Sequence, residues 1–194
     1  MRRSGTYASD GKRKYVDDVT IAAARGGDRQ AQARLLTALQ DSWYRMCLSL
    51  LRDAELARDA AQETALRFLR QLPSFRGQSQ LSTWSLGIAI NVSREFRRSA
   101  RPTVEWTEQH AARADESHGS RPGEGAEAAE HVRLLHASLA DLPERQREAV
   151  VLRYFEELST EDTASVMNCA PGTVKATLHQ ALRKLRERLT MLVL

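Results

Sequence analysis

The chain has 194 residues, of which 42% are hydrophobic and 28% charged, enough for one medium-sized domain or two small ones. Its 29 basic and 25 acidic residues leave a formal net charge of +4, which is compatible with a polyanionic partner but does not require one. The two cysteines form no metal-ligand spacing and no apolar run is long enough to cross a membrane or to form a secretory signal, so we expect a cytoplasmic protein with no metal, no cofactor and no direct membrane insertion.

Charge is distributed unevenly along the chain. Residues 71–101 hold five basic side chains and one acidic, and residues 171–189 hold the same numbers. Between them, residues 102–130 hold two basic and seven acidic side chains. Two basic segments around an acidic one indicate two modules that face nucleic acid, joined by a segment with another role.

The first part of the chain is predicted to be a basic arm followed by a helical domain. Residues 1–16 are polar, basic and without periodicity, whereas apolar residues in 17–101 recur at three- and four-residue steps. The sequence Gly26-Gly27-Asp28 separates a short first helix from a longer second one, with Asp28 as the cap. A third helix is expected from about residue 53 to residue 72, with Leu66 among the residues of its buried face, and Pro73 ends it.

A loop and a fourth helix complete this domain. We expect the helix to run from Trp84 to about Arg98, with Ser82 or Thr83 as its cap and Trp84 in the core. Its early part is apolar and its late part basic. Residues 102–130 then lack apolar periodicity and are rich in Ala, Glu, Gly and Ser, which is typical of a linker without a fold of its own.

The clearest local motif lies within the last domain, residues 131–194. Ser159 and Asp162 form a capping box that opens a short helix, Asn168 suits the left-handed residue of a tight turn, and Pro171 suits a first helical position. A longer basic helix follows, with a buried stripe that includes Val174. This order predicts a helix-turn-helix whose second helix enters the major groove. An ordinary amphipathic hairpin with a solvated basic face is the alternative.

Both domains resemble those of a known family. The segment ADLPERQREAVVLRYFEELSTEDTASVM, followed by PGTVKATLHQALRKLRERL, resembles the sigma-4 domain. The segments DAAQETALRFLRQLPSFRG and LSTWSLGIAINVSREFRR resemble the sigma-2 domain. Two such motifs in this order, with no domain between them, are similar to the extracytoplasmic-function group of sigma-70-type RNA polymerase sigma factors. The fold class expected is all-α, two small helical domains joined by an acidic linker.

The resemblance implies roles for particular residues. Residues 17–101 are expected to bind core polymerase through its β′ clamp helices and to bind the −10 element, and residues 131–194 to bind the −35 element and the β flap. The polymerase-binding candidates are Asp59, Gln62, Glu63 and Arg67. The −10 candidates are Phe75, Arg76, Gln78, Ser79, Asn91, Arg94, Arg97 and Arg98. The −35 candidates are Thr173, Lys175, Thr177, His179, Gln180, Arg183 and Lys184.

Each of these roles has a simpler alternative. A polar face on the third helix is often only solvated, Phe75 is of a type found more often in a core, and Asn91 on a helix face often contacts only water. The helix GTVKATLHQAL also departs from the family pattern, because Thr177 and Gln180 stand where arginines are usual. Binding fewer phosphates would weaken the affinity for duplex DNA and flatten its dependence on salt.

Together these features predict a transcription initiation factor that is not an enzyme. It would recognise promoters, melt DNA with core polymerase, and be held inactive by an anti-sigma factor until a stress signal. The alternative is a self-sufficient helix-turn-helix regulator whose N-terminal part dimerises or binds an effector. Such a regulator would not need the loop and basic helix of residues 73–98.

Overall fold

The computed structural model describes residues 16–99 and 138–193, and these residues form a purely helical structure. The basic arm up to residue 15 and the linker 102–130 lie outside the described residues. Two groups of helices are present on either side of that gap. The helices are α1 (Asp18–Arg25), α2 (Arg29–Leu51), α3 (Ala54–Gln71), α4 (Leu81–Ser99), α5 (Glu144–Val150), α6 (Thr160–Met167) and α7 (Pro171–Val193).

The first three helices begin at aspartates whose carboxylates accept hydrogen bonds from backbone amides. Asp17 accepts from the amide of Thr20 at 2.8 Å, and Asp28 accepts from the amide of Ala31 at 2.6 Å. Asp53 caps α3 in the same way. These bonds satisfy amides that have no partner within the helix. The predicted break before Asp28 and its cap are therefore confirmed.

The core of the first module lies between α2, α3 and α4. Trp43 and Phe68 are completely buried, with ring centroids 5.1 Å apart. The indole nitrogen of Trp43 donates to the hydroxyl of Ser85 at 3.0 Å, which joins α2 to α4 inside the core. Because a buried donor without an acceptor is costly, this bond fixes how the two helices face each other.

Two details of α3 and α4 differ from the sequence prediction. Leu66, expected in the core, is 50% exposed, because the buried face of α3 is formed by small residues with Phe68. Helix α4 begins at Leu81 instead of Trp84, so Ser82 and Thr83 are buried within its first turn and are not its caps. The predicted end of α3 is correct, since Pro73 lies in a 3-10 turn that follows it.

The second module contains the expected helix-turn-helix in α6 and α7. The Ser159 hydroxyl accepts from the amide of Asp162 at 2.9 Å and donates to its carboxylate at 2.8 Å. Asn168 ends α6 in the left-handed conformation, with φ of 53° and ψ of 57°. Val174 is completely buried on the inner side of α7. Each of these features agrees with the prediction.

Helix α5 supports the helix-turn-helix and ends in an unusual way. It continues into a π-helical turn, Val151–Phe155, in which the amide of Glu156 donates to the carbonyl of Val151 at 3.0 Å. Tyr154 lies within this turn and is 51% exposed, although it belongs to an apolar run of the sequence. The wider turn shifts the residues that follow it around the helix axis, which sequence periodicity does not anticipate.

The two modules contact each other directly. Helix α4 packs against α6, and α2 packs against the π-helical turn after α5. The last polar turns of α4 therefore face the second module. Within the described ranges, none of the helices is both long enough and apolar enough to cross a membrane.

Candidate nucleic-acid interface

A polar groove runs along α4 and contains several predicted −10 residues. Its cavity volume is about 600 Å³, and its walls include Ser79, Asn91, Arg94 and Arg98. Arg94 Nη1 donates to Asn91 Oδ1 at 3.3 Å, so these two side chains share a face of α4. An amide beside guanidinium groups combines a group that can read a base edge with groups that can hold phosphates.

The loop before α4 forms one end of this groove. Arg76 and Gln78 are exposed, and Gly77 between them has φ of +69°, a conformation that favours glycine. Phe75 is buried, and its ring lies 5.1 Å from that of Trp84. Trp84, expected in the core, is only partly buried and lines the groove. Trp84 is thus the more exposed of these two aromatic residues, and Phe75 packs against it.

Arg97 is directed away from the groove, toward the second module. It forms an ion pair with Glu144 of α5, and its Nη2 lies 3.7 Å from Glu148 Oε1. Its other terminal nitrogen, Nη1, is buried without a hydrogen-bond partner among the described residues. Unlike Asn91, Arg94 and Arg98, Arg97 does not line the groove.

Arg94 also contacts the second module, through Glu148. Its Nε and Nη2 each donate to one carboxylate oxygen at 2.8 Å. Glu148 is completely buried, and these hydrogen bonds raise the pKa of the Arg94 guanidinium above its usual value. Glu144 and Glu148 were not among the sequence candidates. In the sequence, their pairing with arginines is indicated only by the presence of carboxylates in a domain that follows a basic helix.

The predicted polymerase-binding residues on α3 divide into two pairs. Asp59 and Gln62 are exposed. Arg67 instead donates to Glu63 at 2.7 Å and makes a bidentate pair with Glu95 of α4 at 2.7 and 2.8 Å. Arg67 therefore joins α3 to α4, and Glu63 helps to hold it.

An exposed leucine adds to this face of α3. Leu66 lies four residues after Gln62 and seven after Asp59, which places the three side chains on one side of the helix. Sequence reasoning assigned Leu66 to the core and so missed it as a candidate for binding. Burying this exposed apolar side chain against a partner would be favourable.

The predicted −35 residues lie along the outer side of α7. Lys175, His179, Arg183 and Lys184 are exposed, as are Thr173 and Gln180, whereas Thr177 is partly buried. The Gln180 side-chain oxygen accepts from Gln146 of α5 at 3.2 Å. Helix α7 thus presents a basic face with one member attached to the supporting helix. No group of acidic, histidine or cysteine side chains suited to a metal is found in residues 16–99 or 138–193.

Comparison with known proteins agrees with this division of the chain. Residues 35–103 match the model of sigma-70 region 2, and residues 133–185 match that of sigma-70 region 4. Such proteins are transcription initiation factors. The matched segments coincide with the two modules that carry the groove of α4 and the basic face of α7.

Individual relatives indicate which group of sigma-70-type factors the chain belongs to. The RNA polymerase sigma-H factor of Pseudomonas aeruginosa is 33% identical over 172 residues, which cover 85% of this chain and 89% of that protein. The ECF RNA polymerase sigma factor SigW of Bacillus subtilis is 28% identical, over 87% of this chain and 94% of that one. The chain belongs to the extracytoplasmic-function group of sigma-70-type RNA polymerase sigma factors.

A solved structure supports the fold. The sigma factor RpoE of Bartonella quintana, in complex with the anti-sigma factor NepR, matches with a TM-score of 0.64 at 23% identity. The match covers 81% of this chain and 96% of that one. The predicted all-α architecture of a sigma-2-like and a sigma-4-like domain is confirmed.

Proposed function

We propose that this sigma factor binds core RNA polymerase through α3 and the promoter through α4 and α7. The observation that carries the proposal is the presence of two basic helix faces on two separate modules, which match sigma-70 regions 2 and 4. The units are residues 17–101 for core polymerase and the −10 element, and residues 131–194 for the −35 element and the β flap. The protein acts in the cytoplasm, where the promoter DNA is, and it is not itself an enzyme.

The groove of α4 supports a role in melting the −10 element. Extruding a base from the stack costs a few kcal/mol, which stacking and edge contacts must return. Trp84 offers a partly exposed ring, Asn91 offers an amide, and Arg94 and Arg98 offer charge for the strand that carries the base. Helix α7 instead presents its basic side chains along an exposed outer face, so its role is to anchor duplex DNA.

The face of α3 formed by Asp59, Gln62 and Leu66 supports polymerase binding. Leu66 supplies apolar area and the two polar residues supply orientation, while the Arg67–Glu95 pair keeps α3 fixed against α4. Because α3 and α4 are held together in this way, binding of polymerase to α3 also fixes the position of the −10 groove relative to the polymerase. An anti-sigma factor is a further partner, supported by the similarity to RpoE in complex with NepR.

Reconstituted transcription tests the proposal. Purified full-length protein added to core polymerase is expected to give run-off transcripts from a subset of promoters on a genome-wide template set. Leu66→Ala should reduce binding to core polymerase, whereas Val19→Ala, which removes an exposed apolar side chain on α1, should not. Absence of any specific transcript with core enzyme that is active with another sigma factor would contradict the proposed function.

A further inference from the structure

The side chain of Gln146 on α5 connects this supporting helix to the predicted −35 face of α7. Its Nε2 donates to Oε1 of Gln180 at 3.2 Å. Gln146 is buried, with 9% of its surface exposed, whereas Gln180 is exposed on the outer side of α7. The carboxamide of one −35 candidate is therefore held by a buried side chain in the free protein.

Gln146 occupies a position that does not need an amide for stability. Its Oε1 is buried and has no hydrogen-bond partner within residues 16–99 and 138–193. Burying an amide oxygen without a partner is unfavourable, so an apolar side chain of similar size would suit this position at least as well. What the amide of Gln146 supplies in the structure is the N–H that it donates to Gln180.

This hydrogen bond decides which polar atoms of Gln180 face outward. A carboxamide carries one acceptor oxygen and an NH₂ group with two donors. Because the oxygen of Gln180 is directed toward α5, its N–H donors are left for a partner on the outer side of α7. An unrestrained glutamine pairs with adenine through both groups, accepting from N6 and donating to N7. Gln180 cannot form that pair while Gln146 holds its oxygen.

A group that presents only N–H donors matches the major-groove edge of guanine. Guanine has two adjacent acceptors, O6 and N7, whereas adenine has the acceptor N7 beside the donor N6. The surroundings of Gln180 leave room for a base pair, since Ala176, one turn earlier, is small and exposed. Arg183 and Lys184 follow within the next turn and can bind phosphates. Gln180 is thus placed to read a base between groups that hold the backbone.

We propose that Gln146 is a positioning residue for promoter recognition: it holds the oxygen of Gln180 toward α5, so that Gln180 donates to a guanine of the −35 element. Without this contact the carboxamide is free to turn and to pair with adenine. The proposal rests on the proposed function, because it places α7 on duplex DNA. A neutral side chain then keeps the donor character of the arginine that is usual at this place in the family.

The experiment measures base preference with holoenzyme reconstituted from core polymerase and the full-length protein. The DNA is one promoter from the run-off experiment, in which each −35 position carries each of the four base pairs in turn, and relative affinities are measured by competition binding. Gln180→Ala identifies the position that Gln180 reads. Gln146→Met removes the N–H donor at similar volume. Gln30→Met, the same change at an exposed position of α2, is the control.

At the position so identified, the wild type and the control are expected to prefer guanine over adenine by about tenfold. Gln146→Met should abolish or reverse this preference at that position alone, and it should have no further effect when combined with Gln180→Ala. Its melting temperature should not fall, because the substitution also removes the unpartnered oxygen. A lower melting temperature with an equal loss of affinity for every base would mean that Gln146 is only structural, and would overturn the proposal.

Gln180→Glu is a second test that leaves the buried side of α5 unchanged. A carboxylate still accepts from Gln146 but offers the DNA an acceptor instead of donors, so the preference should move from guanine to cytosine, whose N4 is a donor. A wild-type preference for adenine, or a Gln180→Ala variant with unchanged preference at every position, would also overturn the proposal. Failure of the proposed function would instead appear as the absence of specific transcripts from the reconstituted enzyme.

Discussion

The two thiols differ in a way that the sequence did not indicate. Cys47 and Cys169 lie in apolar stretches of the sequence, which predicts two buried thiols without a disulfide or a metal. Cys47 is fully buried beside the hydroxyl of Ser93, and burial raises the pKa of its thiol to about 11. Cys169, in the turn before α7, is only partly buried, so the expectation of two buried thiols was wrong for that residue. Its position in a tight turn leaves one side open to solvent.

We expect Cys169 to react rapidly with a thiol reagent at pH 7.5, because its thiol is partly exposed, whereas the thiol of Cys47 is buried and its pKa is raised. Cys47 should react only when the first module unfolds. Following the reaction with Ellman's reagent over time should show one fast and one slow equivalent. Cys169→Ser is the control and should remove the fast phase. Two fast equivalents in the native protein would contradict the described packing.

Features that depend on a few neighbouring residues were predictable from the sequence. The caps Asp28 and Ser159 and the left-handed Asn168 follow from local hydrogen bonding and backbone preference. The exposure of Leu66 was not predictable in this way. The buried face of α3 is formed by alanines, Thr64 and Phe68, and Leu66 lies on the opposite side of the helix. Which side of a helix is buried is decided by the shape of the partner helices.

The stability contributed by the ion pair between Arg67 of α3 and Glu95 of α4 is expected to fall as the pH is lowered. The hydrogen bonds from Arg67 hold the pKa of Glu95 below its ordinary value of 4.5. A carboxylate whose pKa is lowered in the folded state stabilises the protein fully above its ordinary pKa, and this stabilisation is lost as pH falls through the lowered value. Because both side chains are partly exposed, the effect is moderated by solvent.

Glu95→Gln is therefore expected to lower the melting temperature at pH 7 and to have progressively less effect as the pH falls below about 4.5. Thermal unfolding followed by circular dichroism from pH 7 to pH 3 measures the difference from wild type. Glu55→Gln, which removes an exposed carboxylate from the start of α3, provides the comparison. A difference for Glu95→Gln that stays constant over the whole range would argue against the ion pair.

Substitutions in α4 and α7 are expected to impair different steps of initiation. Asn91→Ala removes the amide in the groove of α4, so it should reduce open-complex formation more than initial binding. Lys175→Ala with Arg183→Ala removes charge from the exposed face of α7. It should weaken closed-complex binding and reduce the salt slope by about one unit for each phosphate that the helix no longer binds.

Permanganate footprinting of unpaired thymines and filter binding across salt concentrations separate these two effects. Glu161→Gln, an exposed substitution on α6, is the control for both assays. Normal melting by Asn91→Ala, together with a melting defect in the α7 variant at saturating protein, would reverse the assignment of roles to the two helices.

The residue at which α4 begins could not be predicted from local sequence preferences. Ser82 and Thr83 are favourable caps in isolation, yet both are buried after the helix has begun at Leu81. Ser85, two residues further on, is completely buried and accepts a hydrogen bond from Trp43, 42 positions away. This long-range contact determines the helix register and outweighs the local preference for a cap.

At the scale of the whole molecule, both domains were predictable but their contact was not. Each module has its own apolar pattern, so its fold can be derived from its own segment of sequence. The pairing of Arg94 with Glu148 joins residues 54 positions apart, and no periodicity relates them. The resemblance assigns Arg97 to DNA together with Arg94, and in the structure its guanidinium contacts Glu144.

The buried Glu148 also limits the exchange of modules between this chain and related sigma factors. A chimaera that joins this first module to the second module of a relative keeps Arg94 and Arg97 but lacks the carboxylates that match them, unless the relative has them at the same places. The reverse chimaera places Glu148 against whatever the other first module presents, and a buried carboxylate without a cation is strongly destabilising. The two halves therefore form a matched set, and substitutions at α4 and α5 are expected to be inherited together.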